Sequence, residues 1–466
     1  MDAKMIRRVG KRSFSSIVSN FSKLGLRDGL CEAMESLSFT NPTAIQEVAI
    51  PRILRNEANA AIASETGGGK TLSYLLPSAE IVRRAEESMG RSLPKRPRAA
   101  IVTPSRELAM QVFGDAKALN KAAAADSHFR STHLLNPGTK KRRKNRDGIM
   151  KQSGFDLVVG TPGSFVRYRD SGELYTSKLE VLVLDEADTL LTGGFDKELK
   201  SVTNGIGDSC RVVLVGASYA GNVRKAAQRF FPNREFEWIQ TRGLHMLPSG
   251  ATELDVDVKD RGDTKHKVLL EILSSDLDSS SSSSSSSSSI LVFCNSMESC
   301  RSTEHTLREA GIDVVGLHGG IPPKLRRTNF NLFRDQRCTV MVCTDLAARG
   351  LHLDHVGCVV NFDTPRDSQE YLHRAGRTAR AGRKGRILNL VHGREKQRVR
   401  ILRDAATNGS LLELRDVHGE VIKRRERRVQ GVKTLEGSRK REREHENAKE
   451  KLRSLPKSLQ KKIRKT

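Results

Sequence analysis

Two groups of residues in this chain have the types and spacing to do chemistry. Three consecutive glycines, Gly67 to Gly69, run into Lys70 and Thr71 within the stretch SETGGGKTLSYLLP, Ser64 to Pro77. Backbone N–H groups of such a loop can wrap a phosphate, and the lysine can reach its outer oxygens. The threonine hydroxyl can hold Mg²⁺. The second group, Asp185 and Glu186, follows the apolar run Val181 to Leu184 in VLVLDEADTLL. Carboxylates at the C-terminal edge of a buried strand can hold a metal through water and polarise an attacking water. Taken alone, the glycine run also fits a flexible turn, because Ser64 stands where the general phosphate-loop pattern has its first glycine.

The elements around these residues explain how they would be positioned. NAAIAS reads as a strand, SETGGGKT as a loop and TLSYLLPSAEIV as an amphipathic helix, the context a phosphate loop needs. Short apolar runs alternating with helical patterns predict parallel α/β sheets. They fall into two regions. Residues 21–240 hold NAAIAS, RAAIVTP, DLVVGTP, LEVLVLDEAD and RVVLVGAS; residues 251–412 hold ILVFCNS, VVGLHG, CTVMVCTD, CVVNFD and GRILNLV. Residues 241–250, including GLHMLPSG, read as a linker, residues 1–20 as a basic leader and 413–466 as a basic tail. Two α/β lobes on a hinge suggest a ligand in the cleft between them.

Charge supports a polyanionic partner. The 466 residues carry a net +26, and 423–466 alone hold 18 Lys/Arg against 6 Glu. That tail has no aromatics and reads as a disordered or loosely helical RNA-binding tether. A second basic run, Lys140 to Arg146, sits inside the first region, and a serine tract, Ser279 to Ser289, reads as an expanded surface loop. Seven cysteines without a CxxC pair fit neither a disulfide framework nor a zinc site. No apolar run is long enough to span a membrane. The leader, with five basic residues and one acid before Phe21 and the sequence RSFSS, suits an organellar presequence. A short leader of a nuclear or cytosolic protein is the alternative.

D-E-A-D after a parallel strand, 115 residues past the phosphate loop, makes the chain resemble the DEAD-box RNA helicases of superfamily two. In that family an Ala or Ser occupies the Ser64 position. The resemblance covers about Phe21 to Leu412, with the motifs in order. SFTNPTAIQ resembles the adenine-reading motif, with Gln46 pairing the base edge and Phe21, 18 residues before Phe39, stacking on the base. TPSRELAMQ and TPG resemble RNA-backbone motifs, and ILVFCNS, LHGGIPPKLRR, VCTDLAARGL and YLHRAGRTARAG those of the second lobe.

The resemblance implies two tandem RecA-like domains that bind ATP and Mg²⁺ through Phe21, Gln46, Thr66, Gly67, Gly68, Gly69, Lys70, Thr71, Asp188 and Arg374. Thr71 and Asp185 would hold the metal and Glu186 the attacking water. Arg377 and Arg380 would reach the γ-phosphate on closure. RNA would lie along Pro104, Arg106, Glu107, Thr161, Pro162, Gly163, Thr344 and Arg349, held by its backbone without base reading. The implied activity is ATP-driven unwinding of short RNA duplexes by a monomer, in ribosome assembly or RNA maturation on preribosomal particles. Alternatives are an ATP-gated RNA clamp with weak hydrolysis and a DNA helicase. The leader points to the mitochondrion, with plastid or nucleolus as alternatives. Four departures stand out. GAS at Gly216 to Ser218 replaces Ser-Ala-Thr, His352 stands for an Asp, Ser164 for an Arg, and LNPGTKKRRKN for a double-glycine motif.

Overall fold

The computed structural model describes residues 20–407, apart from 56–58, 65–67, 124–128, 130, 136–153, 218–220, 241–246, 249, 259–263, 282–288, 349–352, 354 and 381–382. The leader before residue 20, the Lys140–Arg146 run, Ser218, Arg349, His352 and the basic tail lie outside the described residues.

In the first lobe a short turn at Ser22–Leu24 precedes α1 (Asp28–Ser36) and α2 (Ala44–Leu54). Then come β1 (Asn59–Ala63), α3 (Lys70–Met89), β2 (Ala99–Val102), α4 (Arg106–Ala122), β3 (Thr132–Leu135) and β4 (Leu157–Gly160). They are followed by α5 (Pro162–Asp170), β5 (Val181–Asp185), α6 (Ala187–Thr192), α7 (Asp196–Thr203), β6 (Arg211–Gly216), α8 (Gly221–Phe230) and β7 (Phe236–Gln240). The second lobe contains β8 (Ala251–Asp257), α9 (Lys265–Ser281), β9 (Ser289–Cys294), α10 (Met297–Glu309), β10 (Val314–Leu317), α11 (Pro323–Arg334) and β11 (Val340–Thr344). It ends with α12 (Asp345–Ala348), β12 (Val356–Asn361), α13 (Ser368–Ala375), β13 (Gly385–Val391) and α14 (Arg394–Thr407).

The strands form two sheets, ordered β3-β4-β2-β5-β6-β1-β7 and β10-β11-β9-β12-β13-β8, and the strand pairs are parallel. Central strands such as AAIV and VLVL are buried on both faces, as helix-covered parallel sheets require. Each sheet therefore carries one apolar cluster per face. In the first sheet β1 and β5 flank β6, so the loops after β1 and β5 open at one crevice beyond the strand ends.

Helix starts are set locally. Ser105 caps α4 by accepting the Leu108 N–H, and Asp367 caps α13 by accepting that of Glu370. Thr161 and Ser164 form a capping box at α5, with Pro162 in its first turn. Ser164, where the family has an arginine, thus fixes the TPG turn. The serine tract departs from the expected loop at both ends. Ser279 to Ser281 continue α9, and Ser289 opens β9 fully buried.

Candidate nucleotide site and nucleic-acid groove

The phosphate loop is braced from α2. Gly69 has φ +85°, and a Cβ there would sit 2.6 Å from Gln46 Nε2 and 2.9 Å from Thr43 Oγ1, so only glycine fits. The Thr43 hydroxyl donates to the Gly68 carbonyl at 2.8 Å and the Gln46 amide to the Gly69 carbonyl at 3.0 Å. Gln46 Oε1 accepts the Thr43 N–H at 2.9 Å. Gln46, expected at the adenine edge, here spends its amide on the loop and the α2 cap. Phe21, expected to stack on the base, is fully buried in the core of the first lobe. Lys70 Nζ donates to the Ser64 carbonyl at 2.7 Å. Burial lowers the Lys70 pKa, Glu186, Asp185 and Asp188 work against that, and Arg377 of the second lobe adds to it. Thr66 and Gly67 lie outside the described residues.

Asp185 closes β5 with both carboxylate oxygens held. Oδ1 accepts the Glu186 N–H at 2.9 Å and Oδ2 the Tyr74 hydroxyl at 2.8 Å. Burial, then the neighbouring Glu186 carboxylate, push its pKa up to about 7. Tyr74, on the same helix as Thr71, thus reaches one of the two oxygen donors expected to hold Mg²⁺. Tyr74 did not emerge from sequence reasoning. Its signal was its place four residues past Lys70, on the same helix face. Glu186 sits at φ +52°, ψ +49°, a left-handed conformation that costs a non-glycine residue about 1–3 kcal/mol. That turn aims its buried carboxylate into the site.

Asp188 joins the lobes. Its Oδ1 accepts the Thr189 N–H at 2.8 Å, and its Oδ2 accepts the Ala217 N–H at 3.3 Å. From the second lobe, Gln369 Nε2 donates to the same Oδ2 at 2.7 Å, and His373 Nε2 lies 3.5 Å from it. Donor atoms of Glu186, Asp188 and His373 fall within 4.8 Å of one another. A Cβ on Gly216 would come no closer than 3.4 Å to Asp188. The hydroxyl lost at Gly216 therefore faces Asp188, whose Oδ2 is satisfied by Ala217 and Gln369.

Of the second-lobe arginines, Arg377 is buried with its Nε on the His373 carbonyl (3.2 Å), and Arg380 donates to the Gly376 carbonyl (2.8 Å). Arg374, expected to bind the nucleotide, here donates within its own lobe. It is fully buried, and its guanidinium donates to both oxygens of Asp345 (2.7 Å each). It also donates to Asn361 Oδ1 (3.2 Å), Asp363 O (2.7 Å) and Asn295 Oδ1 (2.6 Å). All five N–H donors are used inside its own lobe, leaving none for a phosphate.

The expected RNA residues converge. A groove of about 290 Å³ is lined by Pro104, Arg106, Glu107, Thr161, Pro162 and Gly163 from the first lobe and by Gly319, Arg326 and Thr344 from the second. Phe195 and Leu346 add apolar lining. Arg326 Nε pairs across the lobes with Glu107 Oε1 at 2.8 Å. Burial, then the charges of Arg326 and Arg167, lower the Arg106 pKa, which marks a positive field suited to phosphates.

These residues fit a magnesium nucleotide. Gly69 admits no Cβ, three carboxylates act on Lys70, and Thr71, Asp185 and Glu186 offer hard oxygens, which suit Mg²⁺. The DEAD/DEAH box helicase family model matches residues 43–226, and the helicase conserved C-terminal domain matches 264–382. The chain belongs to the DEAD-box RNA helicase family. It is 34% identical over 414 residues to DEAD-box ATP-dependent RNA helicase 39 of Arabidopsis thaliana, covering 86% of this chain and 63% of that protein's length. It is 31% identical to ATP-dependent RNA helicase dbp3 of Neosartorya fischeri, covering 82% of this chain and 72% of that one. The structure of S. cerevisiae Dbp5 bound to RNA and ADP BeF3 superposes with a TM-score of 0.70 at 26% identity, over 84% of this chain and 93% of Dbp5. The two sheets are RecA-like lobes.

Proposed function

We propose that this chain is an ATP-dependent RNA helicase that opens short duplexes by closing its two lobes. One observation carries the reading. The same approach of the lobes bridges both clefts, through Gln369 and His373 to Asp188 at the nucleotide site and through Arg326 to Glu107 in the groove. Lys70 and the glycine turn would bind the phosphates, and Thr71 and Asp185 would hold Mg²⁺, which neutralises charge developing on the phosphate oxygens. Glu186 would orient the attacking water. Arg377, buried beside the His373 carbonyl and electrostatically coupled to Lys70, would complete the site only in the closed state. A groove lined by both lobes closes with it, so nucleotide state and RNA grip are linked.

Phosphate release with and without single-stranded RNA, beside strand displacement of a short RNA duplex, tests the reading. Stimulation and displacement by RNA, and not by DNA of the same sequence, is the expected result. Tight ATP-dependent RNA binding without stimulated release would instead favour a clamp. The basic tail and leader support a role on preribosomal RNA in the mitochondrion, acting as a monomer. A fluorescent fusion of residues 1–30 should then enter that organelle and lose its first residues.

A further inference from the structure

A rung of polar side chains crosses three strands of the second sheet. Asn361 of β12, Asn389 of β13 and Asp255 of β8 are direct register partners. Asn361 Nδ2 donates to Asn389 Oδ1 at 2.7 Å, and Asn389 Nδ2 donates to Asp255 Oδ1 at 2.9 Å. Both asparagines are 1% exposed, while the residues before Asn389 on its strand are Ile387 and Leu388. A buried amide costs about 1–3 kcal/mol wherever a hydrogen bond goes unmade, so valine or leucine would be the safer filling for strands. The rung is satisfied only because each member meets the next.

Its two ends matter. At one end Asn361 Oδ1 accepts Arg374 of α13 (3.2 Å). At the other, Arg403 of α14 pairs with Asp255 and, at 2.6 Å, with Glu253. Glu253 in turn accepts the Tyr371 hydroxyl of α13 at 2.6 Å. Helix α13 is thus held at Tyr371 and at Arg374, and an ion pair through Glu253 and a line of hydrogen bonds through Asp255 both lead to Arg403. Gln369 and His373, which meet Asp188 of the first lobe, lie on that same helix.

We infer that Arg403 is a positioning residue: through the Glu253–Tyr371 link and the Asp255–Asn389–Asn361–Arg374 rung it sets the angle at which α13 presents Gln369 and His373, and the turn after it Arg377, to the first lobe. The inference rests on the proposed ATP-driven closure. Packing alone would hold α13 near the sheet, but directional bonds at two points fix its rotation.

The test uses the full chain with Arg403→Met, Arg403→Lys and Asn389→Leu, the last leaving the Arg403–Asp255 pair in place. Expected for Arg403→Met and Asn389→Leu is a roughly tenfold fall in RNA-stimulated kcat, as when the transition state forgoes a single directional hydrogen bond. Affinity for a fluorescent ADP analogue should stay unchanged, because the first-lobe loop is untouched. Energy transfer between dyes on the two lobes, with RNA and a non-hydrolysable ATP analogue, should report weaker closure. Arg403→Lys should recover part of both. Unchanged kcat and closure in a folded Asn389→Leu protein would overturn the inference, as would a parallel loss of ADP affinity. If the wild type closes but shows no RNA-stimulated turnover, the helicase reading fails while the dye measurement still decides the role of Arg403. A wild type that never closes overturns both.

Discussion

The two lobes place their polar groups differently. In the first sheet the chemistry sits at strand ends. Asp185 closes β5, Ser64 follows β1, and Ala60 to Ala63 and Val181 to Leu184 are apolar and buried. In the second sheet Asn389 and Asp255 lie in the middle of their strands. The first lobe positions its site with backbone turns next in sequence to the reacting groups: a glycine turn, a left-handed Glu186 and a capped α5. The second lobe must present side chains of one helix to a partner that leaves and returns. It does so with a largely buried network of hydrogen bonds and ion pairs, in which breaking one link strands its neighbours. Local turns suffice for binding, and a moving half needs a brace.

The largest effect should come from the first-lobe turn itself. Glu186→Gln should retain ATP binding, since Asp185 and Lys70 remain, and lose about 100-fold or more in turnover if Glu186 acts as general base. Wild-type hydrolysis in saturating RNA would remove Glu186 from that role and leave the strand-end site without its chemistry.

Next come the contacts that join the lobes. Gln369→Ala removes a hydrogen bond to a buried carboxylate, a loss of about 1.5–3 kcal/mol, or roughly 10- to 100-fold in kcat. Arg326→Gln leaves Glu107 facing the groove without its partner. Affinity for RNA in the presence of an ATP analogue should fall about 10- to 30-fold by fluorescence anisotropy, with nucleotide affinity in the absence of RNA unchanged. Equal losses in both ligands would mean that the two clefts are not separable.

Gly216→Ser should do little. A Cβ there meets Asp188 at ordinary contact distance, and the new hydroxyl competes for an oxygen already held by Ala217 and Gln369. A neutral hydrogen bond of this kind is worth about 0.5–1.5 kcal/mol, so kcat should change by roughly tenfold at most. A larger gain would show that the missing hydroxyl, and not Gln369, limits coupling.

The smallest effect tests an exception. Asp115 on α4 is half-buried, and burial alone pushes its carboxyl up to about 6. Its folded pKa lies above the unfolded value, so folding favours the protonated form at low pH. That advantage is full below about pH 4 and is lost as pH rises through 6. Asp115→Asn should therefore melt a few degrees above the wild type at pH 8, with the gap closing toward pH 4. A constant gap would assign the effect to packing.

The sequence by itself determined whatever is contiguous. Parallel strands read as unbroken apolar runs, and the phosphate loop, DEAD acids and groove motifs each occupy one loop at one strand end, so their types and spacing survive in the string. The edge strands β3, β7 and β8 were not legible, because THLL, FEWIQ and ATELDVD mix polar with apolar residues at the sheet margin. Only the tertiary structure decided which side chain answers which. Tyr74 meets Asp185 across 111 residues, Gln369 meets Asp188 across 181 and Arg326 meets Glu107 across 219. It also showed where Arg374 spends its donors inside its own lobe, how Gln46 braces the glycine turn and that Phe21 is buried in the first-lobe core. A hydrogen bond is made between atoms within about 3 Å, whatever their separation along the chain, and periodicity carries no record of that distance.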